Sequence, residues 1–234
     1  MNINLQNSID LTEIHVDELV YKEGGTLRLH GWILPVSDGS LYSSKREFGM
    51  AEGLDKRALS AASQLLILAP EGSILDPNSP FFTAFVKNIG QIVSYSKNVD
   101  GLGLQSAIST LVGLGGGSTP SGDDFLGGFL FCLRQVEAEN GCLAATFEID
   151  DKTSWFSRKF VDYAKRGFVI EPLENFTNSI LSGTEESVTT SIFDLVRIGH
   201  SSGIDSAVGV LIATTLGKDD TYCDSLLKKL NIHS

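Results

Sequence analysis

Leu111-Val112-Gly113-Leu114-Gly115-Gly116-Gly117-Ser118-Thr119-Pro120-Ser121-Gly122-Asp123-Asp124-Phe125-Leu126-Gly127-Gly128-Phe129-Leu130 is the stretch that decides the fold, because it returns in outline further along the chain. The second copy is Leu195-Val196-Arg197-Ile198-Gly199 followed, after His200-Ser201, by Ser202-Gly203-Ile204-Asp205-Ser206-Ala207-Val208-Gly209-Val210-Leu211. Both read L-V-x-[LI]-G, a loop, then S-G-x-D-x-x-x-G-x-L. Each copy spells a helix ending at glycine, a turn, and a new helix starting near the serine. Such self-similarity predicts a duplicated helix–loop–helix unit packed with pseudo-symmetry. The loops differ, with Gly116-Gly117-Ser118-Thr119-Pro120 in one copy and His200-Ser201 in the other.

Outward from the repeat, the second part of the chain reads as helix after helix. Ser79-Pro80 pairs an N-cap with proline at the first helical position, and Phe81, Phe82, Phe85, Ile89, Ile92 and Val93 fall on one helical face. Further helices are expected at about 104–114, 123–139, 153–166, 172–181, 185–198, 205–216 and 220–230. Gly141, Gly167, Gly183, Gly199 and Gly217 stand at C′ positions. The first part reads differently. Residues 26–34 alternate and then turn apolar before Pro35, Ser37-Asp38-Gly39-Ser40 has hairpin turn chemistry, and Leu65-Leu66-Ile67-Leu68-Ala69 looks like a buried strand stopped by Pro70. Residues 53–64 read as a helix leading into it. The expectation is an α+β fold, with a β-rich region over 1–78 and a helical domain over 79–234 carrying both motifs.

Composition narrows the function. The 234 residues carry 18 basic and 29 acidic side chains, a net charge of −11, which argues against nucleic acid as a partner. Cys132, Cys142 and Cys223 form no C-x-x-C pair and read as inert buried thiols of a reducing compartment. Asp10, Glu13, Asp17 and Glu18 lie where a signal peptide would be apolar, and the uncharged stretch 101–122 is too rich in glycine and hydroxyls for a membrane span. A cytoplasmic chain is expected, bound neither to nucleic acid nor to membrane. Trp32 and Trp155 read as core or interface.

The physical reading of the motifs has two layers. Ser121 with Asp124, and Ser202 with Asp205, match the capping box [ST]-x-x-[DE], which needs no ligand. The first loop is richer in glycine than a cap requires. Gly115 and Gly117 lead into Ser118, Thr119, Ser121 and Gly122, exposing amides and hydroxyls beside a helix start, the chemistry of an anion cradle. The corresponding elements of the second copy are Ser201, Ser202 and Gly203. No P-loop lysine is present, and the loop joins helix to helix, so neither nucleotide fingerprint applies. Asp123 has no acidic counterpart, since Ile204 stands there, and is marked out for chemistry. His200 could serve as acid, base or ligand donor, or simply bond backbone at a helix junction. Asp123, Asp124 and Asp205 together would make a Mg2+ site if the two helix starts meet.

Residues 113–128 resemble the AllH family, whose G-x-G-x-G-x-T-P-S-G-D-D block is matched from Gly113 through Asp124. A later G-H-[ST]-S-G-x-D block is matched by Gly199-His200-Ser201-Ser202-Gly203-Ile204-Asp205. The resemblance is clear over about 100–215. It implies a subunit or relative of an oxamate carbamoyltransferase system of anaerobic allantoin breakdown, working with partner subunits. The implied substrates are oxamate and carbamoyl phosphate, or oxalurate and phosphate, all anions. The S-T-x-R-T block of aspartate and ornithine carbamoyltransferases is missing, so any phosphate site is a different solution. Three readings follow: a carbamoyltransferase subunit binding a small anionic metabolite at the Gly113–Asp124 loop, a stand-alone Mg2+-dependent enzyme on a phosphorylated or nucleotide-like substrate, and a non-catalytic assembly subunit.

Overall fold

The computed structural model describes residues 21–23, 26–29 and 32–35 as strands and, with the helices and their turns, residues 52–97, 101–136, 152–216 and 218–232. Packing divides the chain into two units, Met1–Ser43 and Ser44–Ser234. In the first, β1 (Tyr21–Glu23), β2 (Thr26–Leu29) and β3 (Trp32–Pro35) form an antiparallel sheet in the order β1-β2-β3. Tyr21 faces Arg28 in the first pair; Leu29 faces Trp32, and Thr26 faces Pro35, in the second.

The second unit holds nine helices among the described residues: α1 (Leu54–Leu68), α2 (Phe82–Lys97), α3 (Gly101–Leu111), α4 (Ser121–Val136), α5 (Trp155–Lys165), α6 (Glu171–Ser182), α7 (Glu185–Leu195), α8 (Ser202–Ala213) and α9 (Asp220–Lys229). No strand occurs among its described residues. The α+β expectation with a β-rich first 78 residues is therefore overturned: the architecture is helical, and among the described residues strand structure is confined to three short segments. Leu65–Ala69, expected as a buried strand, is instead the end of α1 with its C-cap Ala69. The physical reason is periodicity. Leu54, Ala58, Ala61, Ala62 and Leu65 recur at helical spacing and are buried, and that period runs straight through the apolar run. A central strand would hide the end of that run, whereas Ile67 is 83% exposed. Pro70 stops the helix because the residue before a proline is pushed out of the helical region.

At the centre are α4 and α8, the most extensively packed pair. Residues 121–133 of α4 and 203–213 of α8 are buried without interruption, so both helices are covered on every side. Phe125, Phe129, Leu130, Val208, Leu211 and Ile212 belong to this core, each worth roughly 1.5–3 kcal/mol for full burial. Around the pair lie α1, α3, α5, α6 and α7, while α2 packs on α3 and α9 on α1. Arg57 of α1 ties the layers: its Nε donates to Ile180 O at 2.8 Å and its Nη2 to Leu181 O at 2.9 Å. A buried guanidinium thereby answers the carbonyls at the end of α6, which no intrahelical donor reaches.

Candidate functional site

The two copies of the repeat build the same local structure. Leu114 N–H donates to Leu111 O at 3.0 Å, and Ile198 N–H donates to Leu195 O at 3.0 Å. Gly122 N–H then donates to Leu114 O at 2.8 Å, and Gly203 N–H to Ile198 O at 3.1 Å. Both glycines lie against the end of the preceding helix. A Cβ on Gly122 would stand 2.0 Å from Leu111 O, and one on Gly203 1.8 Å from Leu195 O. The third matched pair makes the crossing itself. A Cβ on Gly128 would stand 1.9 Å from Ser206 O, and one on Gly209 2.0 Å from Phe125 O. Phe125 and Ser206 are equivalent positions, so each helix presses a glycine on the other's corresponding carbonyl. This is a pseudo-twofold contact that any side chain would block.

That contact brings the two helix starts together. Thr119 Oγ1 and Ser202 Oγ share a hydrogen bond of 3.1 Å across the copies. The serine–aspartate proximity is crossed rather than local: the Ser202 hydroxyl is close enough to Asp124, and the Ser121 hydroxyl to Asp205, to favour the charged carboxylate. The capping boxes read from each copy separately do not form as read: Ser121 and Ser202 are the first helical residues rather than caps, and Ser201 before α8 makes no side-chain cap bond. The turn after α1 closes over this seam. Ile74 N–H donates to Asp205 Oδ1 at 2.8 Å, Ser121 Oγ to Gly72 O at 3.4 Å, and His200 Nε2 meets Glu71 O at 3.0 Å. A carbonyl only accepts, so the His200 proton is on Nε2, and this exposed imidazole bonds backbone at the helix junction. Asp76 shapes the same turn by accepting from the Gly72 and Asn78 N–H groups at 2.7 and 2.9 Å, which holds its carboxyl below the usual range.

Asp124 and Asp205 are 3% and 0% exposed, and each has an Oδ2 with no hydrogen-bond partner. No ion pair with lysine or arginine reaches either among the described residues. Burial lifts Asp124 to about 7; hydroxyls of Ser202 and Thr119 oppose the shift, while the charges of Asp205 and Asp123 add to it. Burial likewise lifts Asp205 to about 6, opposed by Ile74 N–H, by the Ser121 and Ser201 hydroxyls and by the charge of His200. Asp123 stands apart from this pair in its bonding. Its Oδ1 accepts from Gly113 N–H at 2.9 Å and its Oδ2 accepts from Thr153 Oγ1, so it latches the first loop to the segment before α5. Among the described residues no group of three or more His, Cys, Asp or Glu is arranged to hold a metal ion.

The first loop stands outside this buried seam. Gly116, Gly117 and Ser118 are exposed, Gly115 and Thr119 half-buried. Nothing lies within 4 Å of where a Cβ would sit on Gly116 or Gly117. Ser118 O accepts from Ser154 Oγ at 3.4 Å, and Ser154 is the N-cap of α5, receiving Ser157 N–H at 3.1 Å. The loop is thereby tethered to the starts of α4, α5 and α8, three ends that favour negative charge. Sequence reading missed the turn at 71–76 and Thr153. The apolar pair Ile74-Leu75 inside a Pro/Gly/Ser/Asp-rich turn was the available signal, because such residues are buried only where a turn packs inward. Cys132 and Cys223 are buried, and burial pushes the Cys132 thiol up to about 12, which leaves it an inert thiol. Cys142 lies outside the described residues.

A helical protein built on a crossed, duplicated helix–loop–helix, with a carboxylate pair at the crossing, is the class these features define. The family model described as oxamate carbamoyltransferase subunit AllH matches residues 111–214, from the end of α3 to the residue after α8. Over that span, which holds both motifs, the chain is similar to the AllH family, whose description links that family to an oxamate carbamoyltransferase as a subunit. No curated protein and no solved structure matches the chain. No helix among the described residues is long and apolar enough to cross a membrane.

Proposed function

We propose that this chain works as a subunit of an oxamate carbamoyltransferase-type assembly and binds a small anionic metabolite on the Gly113–Asp124 loop. The observation that carries the reading is the open loop itself, tethered to three helix starts with Gly116, Gly117 and Ser118 exposed. Carbamoyl phosphate, phosphate, oxamate and oxalurate all present oxygens that such groups bind, and helix N-termini favour their charge. The second copy supports the assignment by contrast, since its short loop has no equivalent of the exposed Gly116-Gly117-Ser118 segment. Partner subunits in this reading complete the reaction centre.

The test is a thermal-shift titration of the full chain with phosphate, carbamoyl phosphate and oxamate. A ligand specific for the native state stabilises by about 2.7 kcal/mol at a hundredfold above its dissociation constant. Removal of Gly116-Gly117-Ser118 should abolish that shift in a chain that still unfolds cooperatively. A shift that survives the deletion would move the anion elsewhere, and the absence of any shift would favour an assembly role without ligand.

A further inference from the structure

An anion on a loop joined to the helix starts that carry two buried carboxylates needs a counter-charge. Two unit charges repel by about 4 kcal/mol at 4 Å even at an effective dielectric of 20. Buried carboxylates are ordinarily paired with a cationic side chain or coordinate a metal, and an unpartnered buried oxygen calls for a missing partner. Here two such oxygens, Asp124 Oδ2 and Asp205 Oδ2, come from equivalent positions of the repeat, and no lysine or arginine pairs with either among the described residues. Both carboxylates stand at the seam of the two helix starts, which the Thr119–Ser202 hydrogen bond joins, and they are close enough for the charge of Asp205 to act on Asp124.

From this arrangement, and resting on the anion reading of the loop, we infer that a hard divalent cation such as Mg2+ is held by the unpartnered oxygens of Asp124 and Asp205 and is the counter-charge through which the loop takes its anion. The chemistry of the donors selects the ion. Carboxylate and hydroxyl oxygens suit Mg2+, Ca2+ or Mn2+, with no thiolate among the named groups and the His200 Nε2 spent on Glu71 O. Two carboxylates rather than three or more is the habit of Mg2+, which completes its shell with water and the oxygens of an anionic substrate. This accounts for the absence of a larger acidic cluster among the described residues. Asp123 is not counted in the set, because neither of its oxygens lacks a partner: they accept from Gly113 and Thr153.

The experiment uses the full chain, stripped of metal with a chelator that is then removed. Mg2+ is titrated alone by calorimetry, Mn2+ alone by the loss of its free spin-resonance signal, and phosphate with and without Mg2+. Saturable binding of one ion per chain is expected, with phosphate affinity raised about tenfold by the metal, within the usual range for coupled sites. Asp124→Asn and Asp205→Asn should each abolish metal binding while folding normally, and Asp123→Asn should retain it. No saturable binding of either ion, or binding unaltered in both Asp124→Asn and Asp205→Asn, overturns the inference. Metal binding without any phosphate response keeps the cation site and overturns the anion reading. Phosphate binding indifferent to Mg2+ and to Asp124→Asn keeps the anion reading and overturns the cation site.

Discussion

The loop before α4 and the loop before α8 enter their helices through the same hydrogen bonds and the same glycine contacts, yet they end in different surroundings. In the short copy, Ile198 and Ser202 are joined through Gly199, His200 and Ser201, and His200 is spent on the backbone of Glu71. In the long copy the chain swings out through Gly116, Gly117 and Ser118 before returning to Ser121. The position after the Ser-Gly shared by the two copies differs in step with this. Ile204 is 2% exposed and packs in the core, whereas Asp123 uses both oxygens to hold the base of the longer loop. The difference teaches that the repeated motif sets a common frame, while the length of one loop, with one strut to support it, is what leaves Gly116, Gly117 and Ser118 exposed.

The comparison can be broken most severely at the shared crossing. Gly209→Val, or its counterpart Gly128→Val, should cost about 4 kcal/mol or more, because a Cβ would overlap the opposite helix's carbonyl and the backbone on both sides must shift. Urea denaturation should show both variants unfolded or nearly so; a mild loss at one position alone would mean that the two contacts are not equivalent.

Next in size is a pH effect that belongs to both copies together. Both folded-state values, about 7 and about 6, lie above the roughly 3.9 of an unfolded aspartate. The folded chain therefore holds more protons than the unfolded one between these limits. Stability is greatest below about pH 4 as far as this pair is concerned, and is lost as pH rises through about 6 and 7, by a sum on the order of a few kcal/mol. Chemical denaturation in the presence of a chelator at pH 5 and pH 8 should show the decline, and Asp124→Asn with Asp205→Asn should flatten it.

Smaller effects sharpen the asymmetry. Asp123→Ala should cost roughly 1–3 kcal/mol by leaving the buried Gly113–Thr153 latch unmade. Its signature is faster hydrogen exchange over 113–119 with little change in 202–205. Deleting Gly116-Gly117-Ser118, which gives the first loop the length of the second, should alter stability by no more than about 1 kcal/mol, since loop length enters closure entropy only logarithmically. Equal protection of 113–119 in wild type and Asp123→Ala would remove the strut from the account.

Much of the helical body was legible because its signals are local. Helical spacing of Phe85, Ile89, Ile92 and Val93 marks the buried face of α2, and Ser79 accepts Phe81 N–H at 3.3 Å near its start. The helix at 54–68 was misread at its end because five consecutive apolar residues, taken alone, have no period. Ala58, Ala61 and Ala62 are too small to announce a buried stripe, although small residues are what let α1 sit close to its neighbours.

What the residues alone determined is the repeat, the glycine-punctuated order of helices after Pro80, and the residue set 113–124 and 199–205 that makes the candidate site. Those are short-range properties of spacing, capping and backbone conformation. Only the tertiary structure decided which serine answers which aspartate. Ser121 is three residues from Asp124 in sequence, yet its hydroxyl acts on Asp205, because Gly128 and Gly209 let α4 and α8 approach until their starts share one seam. It also decided that Asp123 is a latch, since its partner Thr153 lies thirty residues away, and that the turn at 71–76 roofs the seam. Long-range contacts of that kind arise from the shapes of packed helices, and no local pattern encodes them.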